Sequence, residues 1–253
     1  MLHKIRTIFL LLGLIVFSSG CLTMEHYLTF KEDGSATYRL KYSITEQAIV
    51  QFRAMEKLKY QLAEASGEPP PGIEMDPLFH LFLDPDEASL REAITKYEPQ
   101  GIKLVDLTVN HLSARRKVEI KLDINDLAKI AESDLFKSHG FNLTQDKNGN
   151  YVFYREPHIN RPGEIARIPT EEELKQLIPI VAGFNTTVRI RVPGKIKSTT
   201  AFDKSDNRVS WIFDFDREPG AIQALQRQAF RVVFSAPGTK FPEMHYNGSQ
   251  ITE

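Results

Sequence analysis

The sequence predicts an α+β domain, an antiparallel, curved β-sheet of hairpins packed against several amphipathic helices. Three observations lead there. Stretches of apolar/polar alternation recur in pairs, the period-2 signal of half-buried strands. Short turn signals join the pairs, as at Asp33-Gly34-Ser35 and Asn148-Gly149. Capped segments with apolar residues on one face separate them. No internal repeat and no Gly/Ser/Pro-rich linker divides the chain.

The first twenty residues stand apart. Met1 to Arg6 carries two cations, Ile8 to Phe17 is apolar apart from Gly13, and Ser18-Ser19-Gly20 is a run of small residues. Cys21, the only cysteine, follows. A basic start, an apolar middle and small residues before a cut describe a secretory signal peptide over residues 1–20. The apolar run is about half of the ~20 residues that span a bilayer. The segment resembles a bacterial lipobox, with Ser18 where that pattern usually has Leu. Lipidation of Cys21 is the leading expectation. Cleavage after Gly20 by an ordinary signal peptidase and an uncleaved anchor are the alternatives. Two or more acyl chains on Cys21 would anchor stably where one does not.

The elements follow in order. Leu22, Met24, His26, Leu28 and Phe30 alternate with polar residues and form a strand; Ala36, Tyr38, Leu40, Tyr42 and Ile44 form its hairpin partner. Ser43 and Glu46 have capping-box spacing and open a helix carrying Ile49, Phe52, Met55 and Leu62, ended by Gly67. Residues 68–72 form a Pro-rich loop. Asp84-Pro85-Asp86-Glu87 starts a second helix, with Asp84 as cap and Pro85 first, running to about Tyr97. Val105, Leu107 and Val109 mark one strand, and Val118, Ile120, Leu122 and Ile124 its antiparallel partner. Asn125 or Asp126 caps a brief helix to Ser133. Residues 141–145 and 151–155 form a hairpin around Asn148-Gly149. Thr170 to Glu173 opens another helix, and Val188, Ile190 and Val192 mark a strand. Extended chain follows over residues 195–201. Val209, Trp211, Phe213 and Phe215 line one face of a strand, Pro219 begins a helix, and residues 231–235 form the last strand. The organisation is then a domain over 21–236, with 126–183 as a helical and hairpin insertion, and a polar tail over 237–253.

Composition bounds the function. Without Cys21 no thiol remains, so thiolate metal sites and internal disulfides are excluded. Loss of Lys4 and Arg6 with the leader leaves 30 basic against 33 acidic residues. That balance argues against nucleic acid as a partner. The sequons at Asn142, Asn185 and Asn247 are taken as chance in a bacterial protein. No His-Glu-x-x-His, Gly-x-Ser-x-Gly or phosphate loop occurs, so no enzyme activity, metal or cofactor is expected.

The opening from Cys21 through Asp33-Gly34-Ser35 to Tyr38 resembles the start of the LppM-type bacterial lipoprotein domain. Arg191-Val-Pro-Gly-Lys-Ile196 and the Arg208-Val-Ser-Trp211 strand are similar to that family's later segments. The resemblance implies an antiparallel sheet around helices in a cell-envelope lipoprotein. Members are linked to lipids or lipid-linked glycans. The chain departs from the family in its longer 126–183 region and in lacking an apolar C-terminal segment.

Arg115-Arg116-Lys117 at a hairpin tip, and Arg189 and Arg191 with Lys195 and Lys197, are candidate contacts for anionic lipid; exposed strand cations are the plain alternative. His26 and His111 read as hydrogen-bonded strand residues. Asp214 and Asp216 read as a solvated face or an acid pair. Trp211, Phe213 and Phe215 read as core, or as lining of an apolar lipid cavity. The expected molecule is a membrane-tethered envelope lipoprotein, placed in the outer membrane if the cell has one because Leu22 follows the cysteine. It would bind a lipid, glycolipid or envelope protein. An assembly subunit and a secreted hydrolase are the alternatives.

Overall fold

The computed structural model describes residues 22–53, 81–112, 114–132, 141–157, 183–218 and 220–245. The leader, Cys21, the helix beyond residue 53, the 68–72 loop and the helix expected from Thr170 lie outside the described residues. The predicted α+β class is borne out. β1 (Leu22–Phe30) and β2 (Ala36–Thr45) form the first hairpin, and α1 covers residues 46–53. Then come α2 (Glu87–Thr95), a 3-10 turn (Glu98–Gln100), β3 (Ile102–Leu112), β4 (Arg115–Ile124) and α3 (Leu127–Glu132). β5 (Phe141–Gln145), β6 (Tyr151–Arg155), β7 (Phe184–Arg191), β8 (Ile196–Thr199) and β9 (Asp203–Lys204) follow. β10 (Arg208–Asp214), α4 (Ala221–Arg227) and β11 (Phe230–Phe234) complete the described elements.

The strands form two sheets. The larger runs β3-β4-β2-β1-β7-β10-β9, and the smaller runs β5-β6-β11-β8. All pairings are antiparallel except one: β7 lies parallel to β1, with Phe184 opposite Leu22 and Arg191 opposite Thr29. The alternation seen in the sequence sorts the large sheet into two faces. Leu22, Ile44, Val118, Ile120, Ile190, Val209 and Trp211 are buried on one side. At the Phe30 end the small sheet covers this face: the Phe30 ring meets Phe153, Phe234 and Phe241 at 5.6, 6.0 and 5.6 Å. At the Leu22 end helices cover it, through buried Ile49 and Leu83 and the ring pairs Tyr42–Phe82 (4.8 Å) and Phe52–Phe184 (5.5 Å).

Four local expectations are corrected. Helix α1 is capped by Thr45, whose Oγ1 accepts from the Ala48 amide at 3.1 Å, while Ser43 stays in β2. Helix α2 is capped by Asp86, which accepts from the Ser89 amide at 2.8 Å; Asp84 is thereby released to pair with Arg116. β3 carries an irregularity between Leu104 and Asp106, so Val105 turns outward, 46% exposed, while Leu104 and Leu107 face inward. Residues 237–245 are no loose tail. Met244 bridges to Leu143 through bonds of 2.8 and 2.9 Å, and Phe241 is buried among Phe30, Tyr151 and Phe234.

A turn and a helix start rest on carboxylates. Asp146 accepts from the amides of Asn150 and Asn148, and Asp86 from Ser89; these bonds hold both carboxyls below the usual range. A folded-state pKa below the unfolded one contributes stability above the aspartate range and loses it as pH falls through that range. Urea midpoints are therefore expected to decline as pH drops below about 4, and Asp146→Ala is expected to reduce that acid-side slope. An unchanged slope in the variant would show that Asp146 contributes nothing to it.

Candidate functional site

The second face of the large sheet is polar, and strand register organises it into rows. One row runs Asn110, Lys117, Ser43, Thr23 across β3, β4, β2 and β1. The next runs Thr108, Glu119, Lys41, Glu25. These two rows and Asp106 line an open groove of about 380 Å³. It is a shallow seat of hydroxyls, an amide and charges of both signs. Every one of these residues reads in the sequence as an outward strand position, so nothing short of the register could have assembled them.

The charges in the groove are partly matched. Lys41 Nζ lies 3.0 Å from Glu119, and Arg39 also pairs with that carboxylate. Burial works against the Glu119 charge, but the bonds from Lys41 and Arg39 prevail and hold its pKa below the usual range. Tyr27 donates to Glu25 at 2.6 Å, and burial together with that bond raises the Tyr27 phenol.

The predicted cations separate into different settings. Arg115 Nη1 donates to Ser43 Oγ at 3.2 Å. Arg116 shares the inward parity of Val118. Only 14% of its side chain is exposed, and it bonds Glu46 (3.1 Å), the Leu83 carbonyl (2.9 Å) and Asp84. It latches the hairpin tip to α1 and to the start of α2. Lys117 stands in the groove. Arg189 lies over the Tyr27 ring at 5.1 Å, bonds its hydroxyl and comes within 4.0 Å of Glu25. Arg191 is exposed beside Thr29 and Arg208. Four residues along and three strands across separate Arg189 from Lys117, roughly 19 Å on strand geometry. Arg115 and Lys117 are thus brought together, and Arg189 and Arg191 lie elsewhere.

The remaining candidates, His111 apart, hold structure. His26 Nδ1 lies 2.6 Å from the Tyr38 hydroxyl on the inner face, and burial pushes that phenol well above its ordinary range. His111 is exposed at the end of β3. Asp214 accepts from the amides of Asp216 and Arg217 at 3.1 and 3.2 Å, which closes the turn after β10, and Asp216 accepts from the Gly183 amide, which ties that turn to the start of β7. Trp211, Phe213 and Phe230 pack as buried rings. Among the described residues no three His, Cys, Asp or Glu side chains converge as a metal site. No helix among them is long and apolar enough to cross a membrane.

No known protein family matches the chain, and no curated protein matches it in sequence. Among solved structures, the folded domain of Mycobacterium tuberculosis LppM is similar to it, with a TM-score of 0.37 and 10% identity. The match covers 88% of this chain and 96% of that domain. It is a distant likeness of overall structure.

Proposed function

We propose that the chain is a membrane-tethered bacterial envelope lipoprotein without enzymatic activity, whose domain binds a lipid or glycolipid headgroup. The observation that carries this reading is the continuity of anchor and fold. Cys21 directly precedes Leu22, which is already buried in β1, 8% exposed. One peptide unit, ~3.8 Å, separates their Cα atoms. An acylated Cys21 therefore holds the sheet at the bilayer with no slack. Thr23, the next groove residue, stands two positions from the anchor.

The groove supports a headgroup in preference to an acyl chain. Hydroxyls and an amide both donate and accept, and Lys41, Lys117 and Glu25 supply charge, the pattern that sugars and phosphates satisfy. A second reading, an assembly subunit, draws on β3. This eleven-residue strand edges the large sheet and exposes Val105 and Leu112, the kind of edge a partner strand extends.

Cys21→Ser is expected to move the protein from the membrane to the soluble fraction, and the wild-type N-terminal peptide is expected to carry acyl mass. An unmodified wild-type N-terminus would end the proposal. Native mass spectrometry of protein from its own host separates the two readings. A retained glycolipid or lipid, lost in Thr108→Trp, supports the groove, and a retained subunit supports assembly.

A further inference from the structure

The corner where β3 turns into β4 lies at the tethered end of the large sheet. Arg115 stands opposite Leu112 on β3 and Thr45 on β2, one position beyond the Ile44–Leu22 pair. The Glu46 amide donates to the Ala114 carbonyl at 3.1 Å, which clasps the first turn of α1 to the same corner. Three apolar side chains are exposed there. Leu112 is 52% exposed, Ala114 is exposed, and Val50, one helical turn beyond Glu46, is 65% exposed. Arg115 and Lys117 flank them. Among the described residues, the nearby acids Glu46 and Asp84 are both matched by Arg116, and Asp84 also by Arg53 at 3.7 Å.

The opposite corner of the same end has the other sign. Asp214 stands opposite Asn185, the Phe215 amide donates to the Phe184 carbonyl at 3.1 Å, and Asp216 and Glu218 follow, with Arg217 bonded to Asp214 at 3.3 Å. Among the described residues this end therefore carries cations and apolar side chains at β3–β4, and acids at β10.

We propose that the β3–β4 corner is a membrane contact: Leu112, Ala114 and Val50 enter the bilayer interface, and Arg115 and Lys117 meet anionic headgroups. The inference rests on the lipid tether and adds an orientation to it. A lipid on Cys21 fixes where the domain sits but leaves it free to swivel. Burial of apolar side chains and attraction of cations to anionic lipid favour one corner, and the acidic corner is repelled. Arg189 and Arg191, further along the strands, take no part.

Cys21 is the only cysteine, so Ala114→Cys in the lipidated full-length chain offers one thiol to an environment-sensitive fluorophore. Lys204→Cys, at the far end of β10's partner strand, is the control. The proteins are reconstituted in vesicles of phosphatidylcholine with phosphatidylglycerol. The label at 114 is expected to shift its emission to the blue, with no shift at 204. Adding Arg115→Glu and Lys117→Glu is expected to abolish the shift without loss of flotation. Flotation with both labels equally aqueous would overturn the orientation and leave the tether standing. A shift that survives charge reversal would overturn the role of the two cations. Failure to float would sink tether and orientation together.

Discussion

Gly194→Ala is expected to destabilise the domain by about 3 kcal/mol or more, through forced overpacking of backbone. Gly194 lies between β7 and β8, where the chain passes from the large sheet to the small one. A Cβ there would sit 1.7 Å from the Ser235 carbonyl oxygen, 2.7 Å from its carbon and 3.3 Å from the Ala236 Cα. All three atoms are main chain. They cannot step aside, because the Ser235 amide donates to the Lys195 carbonyl at 3.0 Å and β11 is paired on both sides, with β6 and β8. Gly220→Ala is the matched control, since a Cβ at 220 meets nothing within 4 Å. Urea midpoints followed by far-ultraviolet circular dichroism measure both. Equal midpoints for the two variants would mean that the sheets do not approach at Gly194 as described.

The second large effect is expected at Trp211. The side chain is fully buried, packs edge-on against Phe230 at 4.9 Å, and donates Nε1–H to the Thr200 carbonyl at 3.1 Å. Trp211→Ala removes the packing and leaves a cavity, which costs about 3–5 kcal/mol. Trp211→Phe keeps an aromatic ring but loses part of the packing and the bond to Thr200, and is expected to cost about 1–3 kcal/mol. The ordering of alanine below phenylalanine below wild type is the test. A cost under about 1 kcal/mol for alanine would place Trp211 at the surface.

Much of the fold was legible because period-2 alternation reports which face of a strand meets the core. β1, β2, β4 and β10 carry it cleanly, and the Gly34 and Gly149 turns take the positive φ (84° and 75°) that glycine permits. What alternation does not report is the identity of the neighbouring strand. The parallel union of β1 with β7 pairs residues far apart in sequence, and no local signal encodes it. Val105 was misplaced because a bulge resets parity in mid-strand. The caps slipped by two residues because Ser43 and Thr45, and Asp84 and Asp86, are chemically equivalent candidates until the backbone chooses.

The groove was illegible for the same reason as the β1–β7 pair. Thr23, Ser43, Lys117 and Asn110 become neighbours only through register. Arg116 did leave a trace: it shares parity with Val118 and Ile120, which marks it as inward and distinct from Arg115 and Lys117. The burial of Phe241 and Met244 leaves no sequence signal, because a short polar segment with two isolated apolar residues has no period to recognise.

The central placement of β1 has a consequence for biogenesis. β1 is the first described strand to leave the ribosome, yet one of its flanks stays open until residues 184–191 arrive. Contacts of such long sequence separation make folding slow. A product truncated before β7 would leave β1 with a bare hydrogen-bonding edge, a template for pairing with another chain and a seed for aggregation.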